Sequence, residues 1–226
     1  MQRWSLMVEH IIEMLPDLNK AFFETIYMVG IALLVSVIIG LPLGVLLFVT
    51  DQGMFWENKL VKSTVGFLVN LIRSIPFIIL LVLLIPFTIL IVGKAIGPTA
   101  AIVSLSVAAI PFYARIVETS FREIDKGVIE AAIAVGATPW MIIKDVLISE
   151  AKPSLIQGIT LTTISLVAYS AMAGTVGGGG IGDLAIRFGY YRYDTVIMFT
   201  TVILLVILVQ LIQFIGDRWA KYADKR

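Results

Sequence analysis

The sequence predicts an all-α membrane protein with five transmembrane helices. Of its 226 residues, 59% are hydrophobic and only 15% are charged, whereas soluble domains are about 45–50% apolar and about 25% charged. The mean hydropathy is +0.98. Five stretches of at least 20 residues contain no Asp, Glu, Lys or Arg, and about 20 apolar residues suffice for a helix to cross a bilayer. These stretches lack the alternation of barrel strands, so helices are expected.

Composition also excludes several other classes of protein. The chain has no Cys, and therefore no disulfide framework, thiol nucleophile or thiolate metal site. Its formal net charge of +1 gives no basic footprint for nucleic acid. His10, the single histidine, lacks the spacing of a metal ligand set and is expected to be solvated. No metal site and no catalytic residues are predicted.

The chain begins with an external segment, residues 1–24, followed by the first span over about 25–50. The segment has no basic start before an apolar core, so we interpret it as an amphipathic lead-in and not as a cleavable signal peptide. Within the first span, Gly40 and Gly44 offer a face for close helix packing. Because Pro42 interrupts that face, packing within one subunit is favoured over a dimer seam.

The second span is predicted over about 65–92 and the third over about 95–114. Arg73 is the only charge well inside an apolar stretch, with Asn70 and Pro76 beside it. Such a charge usually faces protein or water. Two interpretations remain open for Arg73: it lines a vestibule or braces a gate, or it extends to the membrane interface.

A polar connection, 115–152, leads to the fourth span over about 153–174 and then to the fifth over about 195–216. Tyr169, Ser170 and Met172 lie near the end of the fourth span, where they either contact a substrate or simply pack. A glycine-rich segment follows, and it comprises Gly174, Gly177, Gly178, Gly179, Gly180 and Gly182. It contains G-x-G-x-x-G, but a membrane helix precedes it and not a strand. We therefore predict a tight turn or hinge and no nucleotide site.

The distribution of Lys and Arg predicts the orientation in the membrane. Eleven lie in segments assigned to one side and five in segments assigned to the other, with Arg73 inside a span. The basic-rich side comprises the loop near 51–62, the connection 115–152 and the C-terminal tail with Lys225 and Arg226. Because cytoplasmic loops are enriched in Lys and Arg, the N-terminus is expected outside and the C-terminus in the cytoplasm.

The centre of the connection combines a short helix, a turn and a second helix. Glu130 favours the start of a helix, the alanines after it permit close approach by a partner, and Gly136 with Pro139 ends the turn. These residues alone fit either a rigid elbow presented to a partner or an ordinary connector. The positions concerned are Glu130, Ala131, Ala132, Gly136, Ala137 and Pro139.

This stretch resembles the EAA loop of binding-protein-dependent ABC importer permeases. Glu130, Ala131, Ala132 and Gly136 fit the pattern, whereas Val146, Ile148 and Ser149 stand where Ile, Leu and Pro are usual. Four further segments resemble permeases of methionine importers, and with the loop they cover roughly residues 20–220. These segments are 40–44, 73–77, 169–182 and 211–217.

The resemblance implies a type I importer permease in a bacterial inner membrane that translocates methionine. Its implied partners are a second copy of the chain, two cytoplasmic ATPases that carry ATP and Mg, and an extracytoplasmic substrate-binding protein. The chain itself would carry no cofactor and no enzymatic activity, and the loop 115–152 would dock on the ATPase. Arg73, Pro76, Tyr169, Ser170 and Met172 are candidates for the substrate pathway or gate. A permease for polar amino acids and an ATP-independent secondary transporter remain as alternatives.

Overall fold

A computed structural model describes residues 2–224, except the side chains of residues 2–6 and 8. Lys225 and Arg226, which contribute to the basic excess of the tail, lie outside the described residues. The described chain is helical, with loops between helices and no strand. In chain order the helices are α1 (Gln2–Glu13), α2 (Leu15–Val49), α3 (Lys59–Arg73), α4 (Phe77–Leu83), α5 (Ile85–Val92), α6 (Pro98–Arg122), α7 (Lys126–Ala134), α8 (Pro139–Met141), α9 (Ile148–Glu150), α10 (Lys152–Gly174), α11 (Gly180–Leu184) and α12 (Thr195–Ala223). Two π-helical segments, Ile142–Leu147 and Ala185–Tyr190, follow α8 and α11.

Four helices are long and apolar enough to span a membrane, and a bent pair supplies a fifth candidate. The four are α2, α6, α10 and α12; the pair is α3 with α4. The expected single helix over 65–92 is wrong, because the chain bends by 101° between α3 and α4. Pro76 lacks an N–H and disfavours a helical backbone at Ile75, so α3 ends and Pro76 becomes the N-cap of α4.

The long helices extend beyond the charge-free stretches that predicted them. The helix that contains the first predicted span begins at Leu15, ahead of the span's predicted start near 25, so much of the expected external segment is helical. The third continues through Arg115 to Arg122, and the fifth continues to Ala223. Charge-free runs mark only the apolar part of a helix, whereas its end turns carry ionisable side chains that favour water.

The chain divides into two compact units. The first combines the chain up to residue 33 with 76–106 and 163–212, and the second combines 34–75, 107–162 and the chain from 213 onward. Each of the four long helices contributes a segment to each unit.

In the second unit, α2 and α6 approach closely along the face that bears Gly40 and Gly44. A Cβ added at Gly44 would lie 2.5 Å from Val117 Cβ and 2.6 Å from the Ala114 carbonyl oxygen. One turn further along, the Phe48 ring meets Phe121 edge to face at 5.6 Å. The predicted packing of this glycine pair within one subunit is therefore observed.

In the first unit, the glycine-rich segment folds α11 back on the end of α10. Gly177, Gly179 and Gly180 have φ near +80°, a conformation that strains other residues. The N–H of Gly180 donates to the Glu24 carboxylate (2.9 Å), and the N–H of Ile181 donates to Thr25 Oγ1 (2.9 Å). The segment is thus a tight turn tied to α2.

His10 is partly solvated, with its side chain 40% exposed, but it also has a partner that the sequence did not predict. Its Nε2 lies 2.6 Å from Asp194 Oδ2, while Asp194 Oδ1 accepts a hydrogen bond from Ile197 N–H and caps α12. Burial favours a higher pKa for Asp194, but the His10 hydrogen bond and the amide bond from Ile197 lower it below its ordinary value. These contacts link α1 to the start of α12.

Replacement of Gly44 by Ala should destabilise the protein by about 1–3 kcal/mol, because the added methyl group overlaps the backbone and side chain of α6. Gly30, on the same helix, has nothing within 4 Å of an added Cβ. Gly30→Ala should therefore be neutral or stabilising by up to about 1 kcal/mol. Thermal unfolding of the two purified variants in detergent measures the contrast, and equal midpoints would contradict the α2–α6 packing.

Candidate functional site

The segment over 125–141 is a helix–turn–helix elbow in which side chains of the segment itself cap the start of each helix. The Asp125 carboxylate accepts the N–H of Gly127 (2.7 Å) at the start of α7, and Thr138 Oγ1 accepts the N–H of Met141 (3.4 Å) at the start of α8. Between the helices, Gly136 has φ +83°, and Pro139 occupies the first turn of α8. Gly136 and Pro139 therefore lie at the turn, where the sequence predicts it.

One side of the elbow packs into the core of the second unit. Ile129 of α7 is buried together with Ile142, Ile143 and Leu147 of the following π-helical segment. Ala132 and Ala137 pack against the same core. These two alanines, which belong to the predicted docking residues, therefore face the core and hold the elbow against it.

The other side of the elbow is exposed and apolar. Glu130, Ala131 and Gly136 are exposed, and so are several large apolar side chains. Val135 is 85% exposed and Trp140 is 68% exposed; Val128, Ile133 and Met141 are exposed as well. Exposed Trp with aliphatic neighbours is typical of a contact surface. The residues predicted for docking do not include Trp140 and Val135, although both lie beside the Glu-Ala-Ala-x-x-x-Gly pattern.

After the elbow, the chain departs from the usual EAA pattern, because Ser149 stands where the pattern has a proline. Over Ile142–Leu147 the helix is π-helical, and α9 follows without a proline at Ser149. The chain turns at Ala151, and Pro153 lies in the first turn of α10, where its missing N–H is tolerated. The turn therefore comes a few residues after the position of the usual proline.

A fully buried carboxylate, Glu118, lies in the last two turns of α6. Its side chain has no exposed surface. Lys62 Nζ donates to Oε1 (2.6 Å), Arg115 Nη1 donates to Oε2 (2.6 Å), and Arg122 Nη2 donates to Oε1 (2.9 Å). A buried charge is tolerated only when it is paired and hydrogen-bonded, and three cationic donors satisfy this carboxylate.

The network around Glu118 extends to the ends of α2 and α3. Lys62 Nζ also donates to the Leu47 carbonyl (2.7 Å) and lies 3.3 Å from Asp51 Oδ2, which is itself bonded to Arg122. Although burial favours a higher pKa for Asp51, the amide N–H of Gln52 and the Lys62 ammonium hold that pKa below its ordinary value. We call Glu118, Lys62, Arg115, Arg122 and Asp51 the ion cluster.

The ion cluster and the elbow share one hydrophobic core. Phe121 and Ile124 are buried in the same cluster as Ile129 of α7. They follow Glu118 on the chain by three and six residues. A displacement of the elbow would therefore be transmitted to the end of α6 and, through the ion cluster, to α3. Because the sequence analysis assigned Arg115–Lys152 to a polar connection, it did not identify Glu118 as a buried residue. Arg115 and Arg122 lie three and four residues from Glu118, which is the spacing of salt bridges within a helix.

The candidate pathway residues fall in both units. In the first unit, Phe77, next to Pro76, stacks on Tyr169 with ring centroids 4.7 Å apart. Ser170 is buried and donates to the Val167 carbonyl (2.7 Å), whereas Met172 is exposed. In the second unit, Arg73 is exposed at the end of α3 and lines a cavity with residues of α6 and α10. Within residues 2–224, no three His, Asp or Glu side chains form a metal-binding group.

Comparison with known proteins identifies a matching family. The model of the family described as "Binding-protein-dependent transport system inner membrane component" matches residues 36–226. The probable D-methionine transport system permease protein of Vibrio cholerae is 50% identical over 92% of this chain and 93% of its own length. The methionine import system permease protein of Bacillus subtilis is 47% identical over 94% of this chain and 96% of its own.

Solved structures agree with these relatives. A chain of the MetNI methionine ABC transporter in an inward-facing conformation aligns with a TM-score of 0.93 and 49% identity, covering 94% of this chain and 99% of that one. A chain of an amino acid ABC transporter with histidines has a TM-score of 0.78 at 18% identity over 94% of this chain and 97% of that one. The latter shows likeness of fold alone.

Replacement of Lys62 by Met should lower the free energy of unfolding by about 1.5–3 kcal/mol, because Glu118 loses one of its charged hydrogen bonds. Lys59, exposed at the start of the same helix, makes no ion pair within the described part of the chain. Lys59→Met should therefore change stability by less than about 0.5 kcal/mol. Thermal unfolding in detergent compares the two variants; equal stability would show that the ion cluster does not hold α3 to α6.

Proposed function

Because the chain belongs to the family of binding-protein-dependent transport system inner membrane components, we propose that it couples ATP hydrolysis by a partner ATPase to the import of methionine. The chain is a MetI-like ABC importer permease of a bacterial inner membrane, and not an enzyme. The observation that carries the proposal is the elbow over 125–141, whose apolar outer side is exposed while its inner side is packed into the core.

The assembly consists of two copies of this permease, two ATPase subunits and an extracytoplasmic binding protein. ATP and Mg bind to the ATPases. The N-terminus lies outside and the C-terminus in the cytoplasm, as the basic residues favour. In this orientation the elbow faces the cytoplasm, where α7 with Glu130 and Ala131, together with Val135 and Trp140, docks on the ATPase.

Coupling is mechanical. Closure of the ATPases on ATP moves the two elbows together, and the shared core transmits this displacement to α6. The ion cluster then carries α3 along, because separation of Glu118 from its cationic partners would leave buried charges unpaired. Rocking of each helical core as a rigid body opens the pore outward, so that two cytoplasmic positions correspond to two pore states.

Methionine is the proposed substrate, in one or both enantiomeric forms. Both of the permeases compared above, from Vibrio cholerae and Bacillus subtilis, are named for methionine transport, and an apolar pathway suits its side chain better than a charged one. We place Pro76, Tyr169, Ser170, Met172 and Arg73 along the pathway or its gate. The glycine-rich segment from Gly174 to Gly182 provides the hinge or turn at the outer end of α10.

A secondary transporter would require ionisable groups that exchange protons or ions during transport. Glu118 is the only buried charged residue that we find in the described part of the chain, but it is held by three cations at once. Such pairing stabilises a permanent charge and favours a structural role. A permease for polar amino acids would need charged partners for the substrate side chain, for which Phe77 and Tyr169 are unsuited.

The docking proposal predicts that Trp140→Ala reduces both co-purification of the ATPase and ATP-driven uptake, because an exposed Trp commonly contributes about 2 kcal/mol or more to an interface. Trp219, on α12, is a matched control, since it is 67% exposed against 68% for Trp140. Trp219→Ala should leave the complex intact. Glu130→Arg, a charge reversal on α7, should also release the ATPase.

The measurement is radiolabelled methionine uptake into proteoliposomes that contain the permease and its ATPase. Uptake should require the ATPase, the binding protein and ATP together. Uptake driven by an ion gradient alone would contradict the assignment to an ABC importer. A fully assembled and active complex bearing both Glu130→Arg and Trp140→Ala would contradict docking through the elbow.

A further inference from the structure

A cavity of about 260 Å³ lies in the second unit between α6, α10 and the end of α3. It is near the lower end of ligand-sized pockets, which range over about 300–1,000 Å³. This volume suits a single small molecule. The mechanism described above does not use the cavity, although Arg73 lines it.

The walls of the cavity change from apolar to polar along the helices. On α6 the lining residues proceed from Phe112 and Ile116 to Thr119 and Glu123. α10 contacts α6 at two levels: Gly158 packs against Ile116, and Ser154 Oγ lies 3.5 Å from Glu123 Oε2. Leu161 therefore lines the apolar end, opposite Phe112 and Ile116, and Ser154 lines the polar end.

The two arginines that line the cavity differ in their partners. Arg115 is already engaged by Glu118 (2.6 Å) and by Asn70 Oδ1 (2.7 Å). Arg73 forms no ion pair among the described residues and is exposed at the rim of the cavity. A guanidinium without a carboxylate partner is suited to bind an anionic group of a ligand, since it matches a carboxylate bidentately.

We propose that this cavity is an exit station for the transported amino acid. Arg73 binds the carboxylate, Glu123 attracts the ammonium group, and the apolar side chain lies against Phe112 and Leu161. The assignment rests on the proposed function, because it identifies the ligand as the imported methionine. It also decides between the two interpretations of Arg73 in favour of the vestibule.

The combination of charges distinguishes a zwitterion from other occupants. A lipid phosphate without an ammonium group would pair with Arg73 but would be repelled by Glu123, and a polar amino acid would leave its side chain facing Phe112, Ile116 and Leu161 unpaired. A zwitterion with an apolar side chain satisfies both the charged groups and the apolar wall. Thr119, Ser154 and Gln157 supply further hydrogen-bonding groups at the polar end.

The test uses the complete permease–ATPase complex in proteoliposomes with a diazirine analogue of methionine as a photoreactive probe. After illumination, mass spectrometry should locate the label in peptides of α6 around Phe112 or of α10 around Leu161, and excess methionine should prevent it. Arg73→Gln should reduce both labelling and uptake by about tenfold or more. Co-purification of the ATPase with this variant checks that the complex still assembles, because the elbow over 125–141 is unchanged.

Two further variants separate ligand binding from a structural role. Arg73→Lys retains the charge and should restore much of the labelling, whereas Glu123→Gln should weaken it. Lys94→Gln, which removes an exposed cation outside the cavity, should have no effect. Label confined to other helices, or label displaced by phospholipid but not by methionine, would overturn the exit station while leaving the importer function in place. Absence of ATP-driven uptake by the wild type would contradict the proposed function itself.

Discussion

The buried carboxylate of Glu118 is the constraint on which the arrangement of the second unit depends. A charge removed from water costs several kcal/mol unless its partners are present together, and those partners come from α3 and from both neighbouring turns of α6. Lys62 additionally ties the carbonyl end of α2 to the same point. We therefore expect the joined ends of α2, α3 and α6 to move as one rigid body. In the proposed mechanism, this rigidity allows a displacement of the elbow to reach α6 and α3.

The first unit satisfies the same demand by different means. The glycine-rich segment between α10 and α11 donates two backbone N–H groups to Glu24 and Thr25 of α2, and His10 and Asp194 link α1 to α12. Gly180 and Ile181 are buried, and buried backbone N–H groups need hydrogen-bond partners. These hydrogen bonds fix the helices at a few points, and the helix breaks at Pro76 between α3 and α4. Such an arrangement suits a protein that alternates between two packed states and does not deform continuously.

Charge-free stretches were sufficient to predict the helical class and the location of α2, α6, α10 and α12, because apolar length is dictated by bilayer thickness. They failed at the second span, where Pro76 breaks the helix despite a continuous apolar sequence. The Glu-Ala-Ala pattern located the elbow and its turn at Gly136, since turn chemistry is local. Glu118 was missed because a partner 56 residues away, Lys62, becomes visible only in three dimensions. The contact between His10 and Asp194 was not predicted for the same reason, since the two residues lie 184 positions apart.

The proposed coupling requires that the elbows of two permease copies move together when the ATPases close. The chain has no Cys, so Lys144→Cys places a single spin label directly after each elbow, at an exposed position that the proposed docking surface does not include. Double electron–electron resonance on the assembled complex measures the distance between the two labels. We expect a shorter distance in the ATP-bound, vanadate-trapped state than in the nucleotide-free state. An unchanged distance, in a complex that still imports methionine, would contradict it.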